Sequence, residues 1–180
     1  MSLVPIALKN IYVPIRILLE NYLVNFNNNN DISQITDNIY VGNLSTGTNK
    51  ELLKELGITH VVSALSHFYP PHPDDFQYLH VYAYDVIDFD ISKDFENSNQ
   101  FIDDAIKNGG KVYIHCMCGV SRSVTLTIAY LMTKKPKTIE DFIRFVQSKR
   151  GVANPNPGFV GQLRKFQKEK GYLLMGIPML

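Results

Sequence analysis

The chain has 180 residues, 45% of them hydrophobic and 19% charged, which suits one folded domain around one core and leaves little room for a second. Folding at this size removes roughly 70% of the unfolded chain's surface from water, so neither disulfides nor a structural metal is needed for stability. Eighteen Lys and Arg against seventeen Asp and Glu give a net charge of +1, which excludes a generally basic nucleic-acid coat and an acidic tail.

The two cysteines, Cys116 and Cys118, are one residue apart and cannot build a disulfide framework. The expected setting is therefore reducing and intracellular, cytoplasmic first and nuclear second. Charge is segregated: Asp74 to Asp104 holds nine acidic residues and one basic, Lys134 to Lys170 ten basic and three acidic. Solvated helix faces account for most of these; attraction of anionic substrates to the basic end is the weaker reading.

Residues 1–31 read as a leader and 32–180 as the folded body. In the leader, Pro14 can open a helix, Ile15, Leu18, Leu19, Tyr22 and Leu23 follow at helical spacing, and Asn25 to Asp31 form an Asn-rich linker. Lys9, Arg16 and Glu20 interrupt the apolar run, so no stable membrane insertion is expected. Residue 2 is Ser2 where myristoylation needs Gly, and no signal-peptide pattern is present. The leader is expected to pack on the domain surface, ahead of self-association or membrane-surface contact.

The body alternates strand and helix signals, which predicts an α/β fold with a central, mostly parallel sheet flanked by helices. Strands are expected at Ile35 to Val41, His60 to Leu65, Tyr78 to Tyr84 and Lys111 to Cys116. Helices are expected near Asn49 to Leu56, from Ser92 to Gly109, from Ser121 to Met132, after a capping box at Thr138 to Asp141, and near Phe159 to Lys170. The Ser121 helix is apolar nearly all round, which predicts burial at the middle of the domain.

Chemistry concentrates where the last strand turns into that buried helix, at His115-Cys116-Met117-Cys118-Gly119-Val120-Ser121-Arg122-Ser123. The amides of such a loop, with the unpaired N–H groups of the following helix, converge on one point and form an anion site. A thiol at its base is lowered in pKa by those dipoles and by Arg122, which makes Cys116 a nucleophile. The planar Arg122 fork can hold two phosphoryl oxygens, Gly119 lets the loop turn, and Ser123 can offer its hydroxyl to a departing thiolate.

His-Cys-x-x-Gly-x-Ser-Arg-Ser resembles the signature of cysteine-dependent protein phosphatases, specifically the dual-specificity family. The resemblance runs from about Ile32 to Tyr172 and implies the cysteine phosphatase fold, with the phosphate held by Met117, Cys118, Gly119, Val120, Ser121 and Arg122 and with His115 in support. It also implies a general acid, an Asp on a mobile loop about thirty residues upstream. Asp85, 31 residues before Cys116, is the first choice, with Asp88 and Asp90 after it. Asn154 to Leu163 resembles the family's Asn-x-Gly-Phe-x-x-Gln-Leu segment, which makes Asn156 the brace of the phosphate loop.

The implied enzyme is a small, atypical dual-specificity phosphatase that hydrolyses phosphotyrosine, phosphoserine and phosphothreonine in protein substrates through a phosphocysteine, with no metal or organic cofactor. Two other readings stand beside it: a phosphatase for phosphoinositides or other non-protein esters, and a non-catalytic phosphate-binding module. Apolar Met117, Cys118 and Val120 argue against the first, and the presence of nucleophile, arginine and acid argues against the second. Cys118 is read as a small buried filler ahead of a redox partner for Cys116. His67, His72 and His80 are read as ordinary histidines, and packing is at least as good a reading of Phe68, Tyr69 and Tyr84 as a part in substrate preference. No nucleic-acid partner is expected, and the oligomeric state is open.

Overall fold

The computed structural model describes residues 31–172, so the helix and most of the Asn-rich linker expected in the leader lie outside the described residues. Strands β1 (Ile32–Thr36), β2 (Ile39–Gly42), β3 (His60–Leu65), β4 (Gln77–Tyr82) and β5 (Val112–His115) form one sheet in the order β1-β2-β5-β3-β4. Only β1 and β2 pair antiparallel; the β2–β5, β5–β3 and β3–β4 pairs are parallel. Parallel neighbours need crossovers: α1 (Leu44–Gly47) with α2 (Lys50–Glu55) carry the chain from β2 to β3, residues 66–76 carry it from β3 to β4 without a helix, and α3 (Phe95–Lys107) carries it from β4 to β5. After β5 come α4 (Arg122–Met132), α5 (Ile139–Lys149) and α6 (Pro157–Lys170). The chain thus adopts the expected α/β architecture, a mostly parallel sheet flanked by helices.

Side-chain alternation along the strands divides the core between the two faces. Ile39 and Val41 of β2 and Val112 and Ile114 of β5 face the larger cluster, while Tyr40 and Tyr113 join Leu53, Ile58, Val61 and Phe76 in the smaller one. Helix α4 packs on β2, β3 and β5 and is enclosed by α3, α5 and α6, which is why every residue from Ser123 to Met132 is buried. Its two threonines are satisfied locally: the Thr125 and Thr127 hydroxyls donate to the carbonyls of Ser121 and Ser123 at 2.9 and 2.8 Å.

The expected strand at Ile35 to Val41 is instead two strands of a hairpin, β1 and β2, with Asp37 and Asn38 at the turn. Ile35, Ile39 and Val41 are buried on either side of it, so hydrophobicity carries across a turn whose polar signal is only two residues long. The capping box forms as expected, with Thr138 Oγ1 accepting from the Asp141 N–H at 3.2 Å and Asp141 Oδ2 from the Thr138 N–H at 3.3 Å. The short α1 was not anticipated; Asn43 caps it, its side chain accepting from the Thr46 N–H at 2.9 Å.

Gly42 and Ser63 are both in register with His115, so β2 and β5 end abreast, β3 runs two residues further to Leu65, and their outgoing loops leave from one edge. That edge is where ligands bind in parallel α/β sheets. Among the described residues no helix is long and apolar enough to cross a membrane. Truncating a side chain at the centre of α4 tests the core: Ile128→Ala is expected to lower unfolding stability by about 2–5 kcal/mol, measured from urea midpoints at constant m-value.

Candidate active site

Cys116 follows β5 directly and is buried, and residues 117–121 carry the chain to the start of α4. Four consecutive carbonyls of this loop accept hydrogen bonds from outside it. Met117 O takes the Leu44 N–H at 3.1 Å and Val120 O the Asn154 N–H at 2.8 Å. Cys118 O takes Arg150 Nη2 at 3.2 Å and Gly119 O takes Arg150 Nε at 2.6 Å. In a planar trans peptide the N–H of the next residue points opposite to the carbonyl. Tying the carbonyls of residues 117–120 outward therefore turns the N–H groups of Cys118, Gly119, Val120 and Ser121 inward, over Cys116.

Two residues make this geometry possible. Gly119 has φ +68°, and a Cβ there would lie 2.5 Å from Gly42 O and 2.7 Å from Arg150 Nη2, so only glycine fits. Arg150, at the end of α5, is 2% exposed and is held by Asp31 through Nη1 to Oδ1 at 2.7 Å and Nη2 to Oδ2 at 2.5 Å. One planar guanidinium thus serves a carboxylate and two loop carbonyls at once. The sequence reading missed Arg150, because a basic residue at a helix C-terminus is ordinarily explained by the helix dipole.

The Cys116 sulfur lies 3.3 Å from the Ser123 hydroxyl. Burial pushes its thiol up, but the Arg122 charge, the Ser123 hydroxyl and the N–H groups of Ser123 and Val120 outweigh that, and the pKa is lowered. Ser121 stands at the N-cap of α4 without capping it; its hydroxyl donates to Asp85 Oδ1 at 2.8 Å. The first amides of α4 are thereby left without a capping side chain and add to the site's positive potential. His115 is fully buried, and desolvation lowers its pKa to about 4, so the ring is neutral beside the site. It stacks on Tyr113 at 5.5 Å between centroids and meets Phe68 edge-on.

Arg122 reaches back to the end of β4, where Nη1 donates to Ala83 O at 3.2 Å and Nε lies 3.8 Å from Asp85 Oδ2. Nε itself has no hydrogen-bond partner among the described residues. Of the three acid candidates, Asp85 is the one bonded to the loop: its Oδ1 accepts from both Ser121 Oγ and Asn156 Nδ2 at 2.8 Å. Asp90 accepts instead from the Ser92 hydroxyl and N–H at 2.6 and 3.0 Å, and Asp88 is exposed.

Asn156 touches the phosphate loop through its backbone, whose N–H donates to Ser121 Oγ at 3.0 Å. Its side chain holds Asp85 and caps α6, accepting from the Phe159 N–H at 3.0 Å. The loop bearing Asp85 is pinned further along α6. Gly158 packs so tightly under Ile87 that a Cβ would lie 2.0 Å from Ile87 O. Gln162 accepts from the N–H groups of Ile91 and Ser92 at 3.0 Å and donates to Phe89 O at 2.8 Å. Cys118, expected as a buried filler, is exposed; the loop uses its carbonyl, and its side chain faces no packing demand.

A sequence profile of the dual specificity phosphatase catalytic domain matches residues 39–169. Among curated proteins, dual specificity protein phosphatase 1B of Arabidopsis thaliana is 41% identical over 138 residues, covering 77% of this chain and 83% of that protein. Dual specificity protein phosphatase 1 of the same plant is 40% identical over 143 residues, covering 79% of this chain and 72% of that protein. Among solved structures, the human tyrosine phosphatase-like serine/threonine/tyrosine-interacting protein superposes with a TM-score of 0.76 at 29% identity, over 79% of this chain and 99% of that one. DUSP15 does so with a TM-score of 0.74 at 30% identity, over 83% and 98%.

Three substitutions at two positions test the wiring. Ser123→Ala removes a hydrogen bond that lowers the Cys116 pKa, so the midpoint of iodoacetamide alkylation against pH is expected to move up. Arg150→Met frees the Cys118 and Gly119 carbonyls, and kcat/KM on an aryl phosphate is expected to fall about 100-fold, with the alkylation midpoint also rising. Arg150→Lys restores little, because an ammonium cannot span two carbonyls and a carboxylate.

Proposed function

This chain belongs to the dual-specificity phosphatase family and is a protein phosphatase, and we propose that Cys116, Arg122 and Asp85 carry out the hydrolysis of phosphotyrosine, phosphoserine and phosphothreonine. The Cys116 thiolate attacks phosphorus, and the bond to the side-chain oxygen breaks as that oxygen takes a proton from Asp85. Oδ1 of Asp85 is occupied by Ser121 and Asn156, which leaves Oδ2 to carry the proton. Arg122 and the inward amides stabilise the charge that builds on the equatorial oxygens.

The phosphocysteine is then cleaved by water. Asp85, now a carboxylate, takes a proton from the water as its oxygen bonds to phosphorus, and the sulfur–phosphorus bond breaks. The departing thiolate accepts the Ser123 hydrogen bond, 3.3 Å away, and inorganic phosphate is released. The observation that carries this reading is the ring of loop carbonyls tied outward at residues 117–120, since it orients the amides before substrate arrives.

Met117, Cys118 and Val120 leave Arg122 as the one cation of the signature, which suits a single phosphoryl group on a protein better than a polyanionic inositol phosphate. The cytoplasm, with the nucleus second, is the location that fits a thiol required in its reduced form. The test is phosphate release from an aryl phosphate and from matched phosphotyrosine and phosphothreonine peptides. Cys116→Ser is expected to abolish release while retaining phosphate binding, and Asp85→Asn to slow it by about 10² to 10⁴. Near-normal rates in either variant would overturn the assignment.

A further inference from the structure

Four of the large apolar residues most exposed among the described residues fall within six positions around Asp85: Tyr82, Tyr84, Val86 and Ile87, at 45%, 37%, 54% and 60% exposure. Their place relative to the phosphate site is fixed by their neighbours. Ala83 O accepts from Arg122 Nη1, and Asp85 bonds Ser121 of the phosphate loop, so Tyr84 between them lies at the lip of the site. Strand alternation buries Val81 and Ala83 and turns Tyr82 and Tyr84 outward together. Phe89 closes a ring cluster with them, its centroid 6.2 Å from Tyr82 and 6.1 Å from Tyr84, with the two tyrosines 5.5 Å apart.

Val86 and Ile87 continue this surface on the other side of Asp85, on backbone anchored by the approach of Gly158 to Ile87 O. Val152, 56% exposed, lies in the chain between Arg150 and Asn154, which bond the outer side of the phosphate loop, and is not part of this surface. An apolar surface held on rigid backbone beside a catalytic pocket costs solubility and marks a contact region. The acid loop also carries exposed Asp88 and Asp90, which disfavour acidic neighbours.

Resting on the phosphatase reading above, we infer that the enzyme selects phosphoprotein segments with large apolar residues beside the phosphorylated side chain, seated on Tyr84, Val86 and Ile87, over segments flanked by acidic residues. The phosphate loop supplies the charge recognition common to all substrates, and this lip supplies the discrimination.

The test uses the full chain with Cys116→Ser, in which turnover cannot interfere. Three phosphotyrosine peptides of equal length, with Leu, Gln or Asp on both sides of the phosphorylated residue, are titrated by fluorescence anisotropy. Wild-type release from an aryl phosphate is measured alongside. The Leu peptide is expected to bind about tenfold more tightly than the Gln peptide, with the Asp peptide weakest. Adding Val86→Asn with Ile87→Asn, two exposed side chains, is expected to bring Leu and Gln peptides within about twofold. Equal binding of those two peptides by Cys116→Ser, tightest binding of the Asp peptide, or a Leu preference that survives the double substitution overturns the inference. If the wild type leaves aryl phosphate intact while the Leu preference holds, the lip inference stands and the phosphatase reading falls.

Discussion

A thiolate buried at the end of a central strand is the costly element on which the rest of this structure depends. Its desolvation must be offset by dipoles that cannot turn away. The chain meets this by fixing four carbonyls of the loop from outside, through Leu44, Arg150 and Asn154, so that the amides they share peptide planes with face the sulfur. Those donors come from the start of α1, the end of α5 and the segment before α6. The anion site is therefore a product of three distant stretches of chain meeting at one sheet edge, and it exists before any phosphate enters. Preorganisation of this kind is where electrostatic catalysis draws its advantage, since no reorientation is needed during reaction.

The second dependence runs through α6. Asn156, Gly158 and Gln162 hold the loop that bears Asp85, and the same Asn156 backbone touches Ser121 in the phosphate loop. Asp85 and the loop around Cys116 thus share a support. The Asp85 loop, expected to be mobile, is tied to α6 through Asn156 and Gln162 and packed against it at Gly158 in the form described. The exposed apolar side chains around Asp85 are carried on this anchored backbone, which lets them act as a shaped surface rather than a loose one.

Much of this was legible from local signals. The buried α4 announced itself by apolar residues on all sides, the capping box by Thr138 and Asp141, and β3 by its run of Val, Ala and Leu. The β1–β2 hairpin was not, because Ile35, Ile39 and Val41 keep an apolar sequence going through a two-residue turn. Cys118 was misplaced because a small residue is usual two positions after the nucleophile in the family it resembles, and its exposure depends on the direction in which the loop turns.

The sequence by itself determined the chemistry: a strand, a cysteine, a glycine-bearing loop and an arginine opening a helix, with an aspartate 31 residues upstream. All but the aspartate fall within one strand, loop and helix start, in a signature whose spacing is set by one turn of backbone; the aspartate followed from the family resemblance. Only the tertiary structure decided that Arg150 holds the loop, that Asp31 holds Arg150, and that the Asn156 side chain serves Asp85 while its backbone serves the loop. These contacts join residues between 31 and 119 positions apart. No local pattern specifies them, because each follows from where the sheet order brings the ends of β2, β4, β5 and α5 together.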